Sequence, residues 1–121
     1  MGVDLMLLPM DADFNNSAFA YTTLEVRRRR ELWPLICALP SEPVPPSFES
    51  LLSLEGPPDW DFWVQGNTQV DGYEKPLFCV LAEHLLSLAS HPAIEEEYLN
   101  KAAWAYLAQL PGETRVALYW T

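Results

Sequence analysis

Two apolar runs, one near each end of the sequence, limit what this chain can fold into. Residues 3–8 read VDLMLL and residues 115–120 read RVALYW. Successive side chains of a strand point to opposite faces, so a run that is apolar at odd and even positions alike has to be covered on both sides. Asp4 is the one polar residue in the first run, and Pro9 ends it; the second run is β-branched and aromatic, as strands prefer. Both are predicted to be buried strands of one sheet, with both ends of the chain in the core. Deleting residues 115–121 is therefore predicted to unfold the protein.

The segments between these runs point to an α+β fold. The turn-forming stretch DADFNNS (11–17) leads into AFAYTTLEV, in which Phe19, Tyr21 and Thr23 share one side. This predicts a hairpin with the first strand, although Thr22-x-x-Glu25 is also a capping box that could open a helix early. From Arg27 to Leu39 the apolar residues Leu32, Leu35, Ile36 and Leu39 have helical spacing. Pro34 predicts a kink there, or a helix that starts near it, and Pro40 ends it. Residues 40–76 contain seven of the eleven prolines and read as a long connection, with a short helix possible over Phe48 to Leu54.

After Pro76, residues 77–80 are predicted as a strand and 81–89 as a helix ending at Ser90, His91 and Pro92. A long helix is predicted from Ala93 to Leu110. Glu95, Glu96 and Glu97 would lie in its first turn, where the helix dipole favours acids, and Glu97 would stand four residues before Lys101. Pro111 and Gly112 stop it. The predicted architecture is a single domain over 1–121: a small, mostly antiparallel sheet that contains the first and last strands, packed with two or three helices.

Half of the 121 residues are hydrophobic, enough for a core without staples. Cys37 and Cys79 each sit in an apolar run and are read as reduced core residues. No zinc spacing connects them to His84 and His91, so neither a metal nor a cofactor is expected. The opening MGVDLMLLPMD has an acid at position 4 and no basic stretch, unlike a secretory signal or a membrane anchor, and position 6 is Met where N-myristoylation takes Ser or Thr. No run approaches the ~20 apolar residues that span a bilayer. The expected location is the cytoplasm.

The net charge of −10 is unevenly placed. Through residue 30, Asp4, Asp11, Asp13 and Glu25 balance Arg27 to Arg30; beyond it, thirteen acids face only Lys75, Lys101 and Arg115. Such a surface repels nucleic-acid phosphate and anionic membranes and attracts basic proteins, so no direct nucleic-acid or membrane binding is expected. The four arginines could look like a nucleic-acid or localisation patch but are read as one solvated helix face with stems along the core edge; an alternative pairs some of them with acids of the same chain, such as Asp11 and Asp13.

No catalytic constellation stands out. Asp11 and Asp13 could hold a divalent cation but are explained as a turn. His84 and His91 have no nucleophile with a glycine elbow nearby. The most informative segment is Pro57-Pro58-Asp59-Trp60-Asp61-Phe62-Trp63, where stiffening prolines precede acids interleaved with large aromatics, a composition of interface hot spots. Folding back as a loop anchor would explain the aromatics equally. Candidate partner-binding residues are thus Asp59, Trp60, Asp61, Phe62 and Trp63, joined by Glu95 and Glu96.

The segments GVDLMLLPMD (2–11) and KAAWAYLAQLPGETRVALYW (101–120) resemble a family of small acidic proteins encoded in phages, prophages and other mobile elements of proteobacteria. The resemblance covers about the outer half of the chain and does not extend to 40–70. It implies a context in which small acidic proteins bind and block host factors, as anti-CRISPR and other anti-defence proteins do. The expected function is an interaction protein that inhibits a basic, nucleic-acid-handling host protein. The alternatives are a small enzyme or ligand-binding module built on Asp11, Asp13 and His84, and an immunity protein that neutralises a basic toxin.

Overall fold

The two apolar end runs become neighbours: β1 (Leu5–Pro9) lies antiparallel to β5 (Arg115–Trp120), with Leu7 opposite Leu118. The structure, a computed structural model, describes residues 4–10, 22–29, 31–44, 70–73 and 75–121. Three further strands, β2 (Leu24–Val26), β3 (Glu42–Pro43) and β4 (Phe78–Leu81), complete a five-stranded sheet in the order β2-β1-β5-β4-β3. Every pairing is antiparallel. The described residues also form four helices: α1 (Leu32–Cys37), α2 (Ala82–Leu86), α3 (Pro92–Glu95) and α4 (Tyr98–Ala108). The fold is α+β, as predicted.

Strand alternation sorts the sheet into two buried faces. Leu5, Leu7, Val26, Val80, Val116 and Leu118 pack against Leu32 and Ile36 of α1, Leu85 of α2, Ile94 of α3 and Trp104 and Leu107 of α4. Leu8, Cys79, Ala117 and Tyr119 face the other way and form a second cluster with Met10, Val44 and Leu77. Each fully buried leucine contributes about 1.5–3 kcal/mol relative to exposure. Two tryptophan contacts fix the helices: the Trp104 indole donates to the Leu85 carbonyl at 2.7 Å, and Trp33 meets Trp120 edge to face at 5.6 Å between ring centres.

The backbone bonds also settle which way each strand residue points its amide. Asp4 and Thr121 exchange both of their bonds (2.8 and 2.9 Å), and the Met10 N–H donates to the Arg115 carbonyl. Even-numbered residues of β1 therefore bond β5, and Leu5 and Leu7 turn their amides toward Val26 and Leu24 of β2. Pro9 can then lie inside β1, because its missing N–H falls on the β2 side, beyond the end of that strand. In β2 the amide of Glu25 is left pointing away from the sheet.

Asn100, fully buried on α4, closes the same edge one step further along. Its Oδ1 accepts the Arg27 N–H at 2.6 Å, while its Nδ2 donates to the carbonyls of Arg27 (3.1 Å) and Ala93 (2.9 Å). One side chain thus imitates a neighbouring strand and ties β2, α3 and α4 together. On the far side, Asp71 accepts the N–H groups of Tyr73 and Lys75, and the Gly72 N–H donates to the Trp120 carbonyl at 2.8 Å. A Cβ at Gly72 would stand 3.1 Å from that oxygen, so glycine permits the approach.

Several expectations are corrected. The predicted helix 93–110 is divided, because Glu97 is extended (φ −112°, ψ 109°) and caps α4 by accepting the Leu99 N–H at 3.4 Å. Its carboxylate is used there and forms no ion pair with Lys101. Leu24–Val26 is a strand, so Thr22 and Glu25 form no capping box. Of the two readings for Pro34 the second holds, since α1 starts at Leu32 and Pro34 occupies its third position, where an N–H has no intrahelical partner to lose. Arg27, Arg28 and Arg29 precede α1 in non-helical backbone; Arg28 pairs with Asp4 at 3.0 Å and Arg29 with Glu31 at 3.5 Å. Cys37, at the exposed end of α1, is a free thiol but not a core residue, unlike buried Cys79. The long connection contains β3, which prolines had hidden. The possible helix over Phe48 to Leu54 and the segment 11–21, with Asp11 and Asp13, lie outside the described residues.

Candidate partner-binding surface

Of the sequence-predicted binding residues, Glu95 and Glu96 lie within the described residues, and Asp59, Trp60, Asp61, Phe62 and Trp63 lie outside them. Glu95 and Glu96 are both exposed at the end of α3. That helix is short for local reasons. His91 caps its start by accepting the Ala93 N–H on Nδ1 at 3.0 Å, and Pro92 occupies its first position. Glu97 then breaks the helical path two residues after Glu95.

The break reorients the first turn of α4. Tyr98 is 73% exposed and Leu99 39%, although both are large and apolar in body. Two turns along α4, Tyr106 is 38% exposed. Leu99, Ala102 and Tyr106, at spacings of three and four, form a stripe beside the buried one made by Ala103, Trp104 and Leu107. With Thr23, Leu24 and Glu25 this stripe lines a groove of about 480 Å³. A second groove of about 320 Å³ adjoins it, lined by Asp4, Glu25, Arg27, Arg28 and Leu99 among others.

A separate cleft of about 230 Å³ lies near β3, lined by Pro40, Ser41, Glu42, Cys79, Leu81, His84 and Arg115 among others. It brings together a thiol, an imidazole and an ion pair between Arg115 Nε and Glu42 Oε1. Burial first and the Glu42 carboxylate second push the Cys79 thiol up to about 11, with Arg115 opposing them only in part. The thiol is thus neutral near pH 7, whereas a nucleophile needs the thiolate. His84 Nδ1 is buried with no hydrogen-bond partner. Among the described residues no three His, Cys, Asp or Glu side chains are grouped to hold a metal ion.

Sequence reasoning missed Tyr98, Leu99 and Tyr106. The available signal was α4 itself: YLNKAAWAYLA contains one charged residue, Lys101, so an apolar face remains after the core has taken its share. No helix among the described residues is long and apolar enough to cross a membrane. No protein-family model, curated protein or solved structure matches the chain.

Proposed function

We propose that this chain is a cytoplasmic interaction protein that binds and inhibits a basic, nucleic-acid-handling protein, as anti-CRISPR and other anti-defence proteins of mobile elements do. The observation that carries the reading is the exposure of Tyr98 and Leu99 directly after Glu95 and Glu96, with Tyr106 exposed two turns further along α4. Aromatic anchors beside charges are the composition of binding hot spots, and an acidic excess of ten draws a basic partner in at long range. The Asp59–Trp63 segment has the same composition.

The test is capture of a basic, nucleic-acid-handling protein on the immobilised chain, followed by assay of that protein's nucleic-acid binding. Capture should fall as ionic strength rises from about 0.1 to 1 M, where the screening length shrinks from about 10 to 3 Å. It should also fall in a variant carrying Glu95→Gln, Glu96→Gln and Tyr98→Ala. Capture indifferent to both salt and this variant would overturn the reading, as would a captured protein whose nucleic-acid binding is unaffected.

A further inference from the structure

The outer edge of β2 is open at one residue and closed at the next. Positions 23, 25 and 27 turn their amides away from β1, because Leu24 and Val26 use theirs on Leu7 and Leu5. At Arg27 both outward groups are taken by the Asn100 side chain. At Glu25 no described residue bonds either group, and the Glu25 carboxylate has no ion pair among the described residues. The edge is flanked by the apolar stripe of α4, with Leu99, Ala102 and Tyr106 lining one groove with Leu24 and Glu25.

We infer that this edge receives an extended segment of the partner as a sixth strand, with a lysine or arginine opposite Glu25 and apolar residues on either side of it. Alternation dictates that pattern. The Glu25 side chain lies on the Met6 face of the sheet, and Leu24 and Val26 lie on the α4 face. A residue paired with Glu25 shares its face and meets the carboxylate, and its two neighbours turn over Leu99, Ala102 and Tyr106. The backbone groups of Thr23 and Glu25 supply the hydrogen bonds, the mode by which extended peptides add to sheet edges. A second copy of the chain is a poor occupant: each carries a net charge of −10, and antiparallel pairing centred on Glu25 would oppose two carboxylates. Of the cations nearby, Arg28 is held by Asp4, and Arg27 lies where Asn100 has closed the edge.

The inference rests on the binding function proposed above and is tested apart from it. The probes are two short peptides, one alternating valine with lysine and one alternating valine with glutamate, titrated into the isotopically labelled chain. The lysine peptide should bind about tenfold more tightly and shift the amide signals of Thr23, Glu25, Leu99, Ala102 and Tyr106. Glu25→Pro removes the outward N–H but no bond to β1, and should abolish binding while leaving the spectrum folded. Glu25→Lys keeps the N–H and should invert the preference between the peptides. Absence of binding to the lysine peptide, undiminished binding by Glu25→Pro, or no change of preference in Glu25→Lys each overturns the inference. So does a dimer of the unaltered chain that Glu25→Pro dissociates, since the edge would then serve a second copy. A basic partner captured equally well by Glu25→Pro would sink strand addition alone, whereas capture indifferent to salt and to the Glu95, Glu96 and Tyr98 substitutions would sink the binding function itself.

Discussion

The two edges of the sheet are built differently. At the β3 edge the strand is two residues long, Glu42 is bound to Arg115 of β5, and Pro43 has no N–H to present on the outer side. The residues on either side of it face inward: Glu42 stands opposite Cys79, and just past β3 the Val44 N–H donates to the Leu77 carbonyl. At the β2 edge no proline intervenes, and among the described residues Asn100 covers Arg27 and none bonds the outward backbone groups of Glu25. Exposed edges invite unwanted pairing, and proteins blunt them with prolines, charges and short strands. A chain that guards one edge with proline and ends the cover of the other at an acidic residue marks the second edge as usable.

The largest effect on this comparison comes from removing the strand between the edges. Deleting residues 115–121 takes away β5, which joins β1 to β4, and should abolish the folded circular dichroism signal altogether. Next is Asn100→Leu, which leaves the Arg27 amide and two carbonyls unsatisfied in a buried site and should cost about 3 kcal/mol in urea denaturation. That variant also extends the open edge by one residue, so faster hydrogen exchange at Arg27 should accompany the loss.

A third effect lies beside the guarded edge and depends on pH. Cys79 has its pKa raised from an ordinary 9.0 to about 11, chiefly by burial. The folded state holds this proton more tightly than the unfolded chain, so the thiol's contribution to stability is complete below about 9 and is lost as pH climbs toward 11. Tyr119, raised mainly by burial and further by Asp71, acts in the same direction at higher pH. Urea midpoints measured across this range should fall, and Cys79→Ala should flatten the fall between 9 and 11. The smallest change in stability, within about 0.5 kcal/mol, is expected for Pro43→Thr on the exposed edge. Its readout is sedimentation: by restoring an outward N–H it should increase self-association, and no increase would mean that proline is not what guards β3.

The strands at the two ends could be read from residue types because a run apolar at every position has one physical solution, burial on both faces. Helix boundaries were harder to read. In the stretch 93–110 the hydrophobic periodicity is continuous, and the break at Glu97 depends on a carboxylate choosing a backbone N–H over Lys101. β3 gave no strand signal, since a two-residue edge element that includes Pro43 differs little from a loop. The candidate surface was half legible. Glu95 and Glu96 stood out as acids, but the exposure of Tyr98, Leu99 and Tyr106 depends on which face of α4 the core claims. Asn100 carried no signal, because its partners Arg27 and Ala93 are defined only once strand and helix meet.

The pairing of β1 with β5 has a consequence for how the protein is made. It joins residues separated by nearly the whole sequence, such as Leu5 and Trp120. Contacts of such long sequence separation carry a large loop-closure entropy and slow folding. β1 leaves the ribosome before β5, so Leu5, Leu7 and Leu8 must wait for their partners until β5 has been synthesised. Folding of the sheet therefore waits for β5, and a chain that still lacks it is the form most in need of a chaperone.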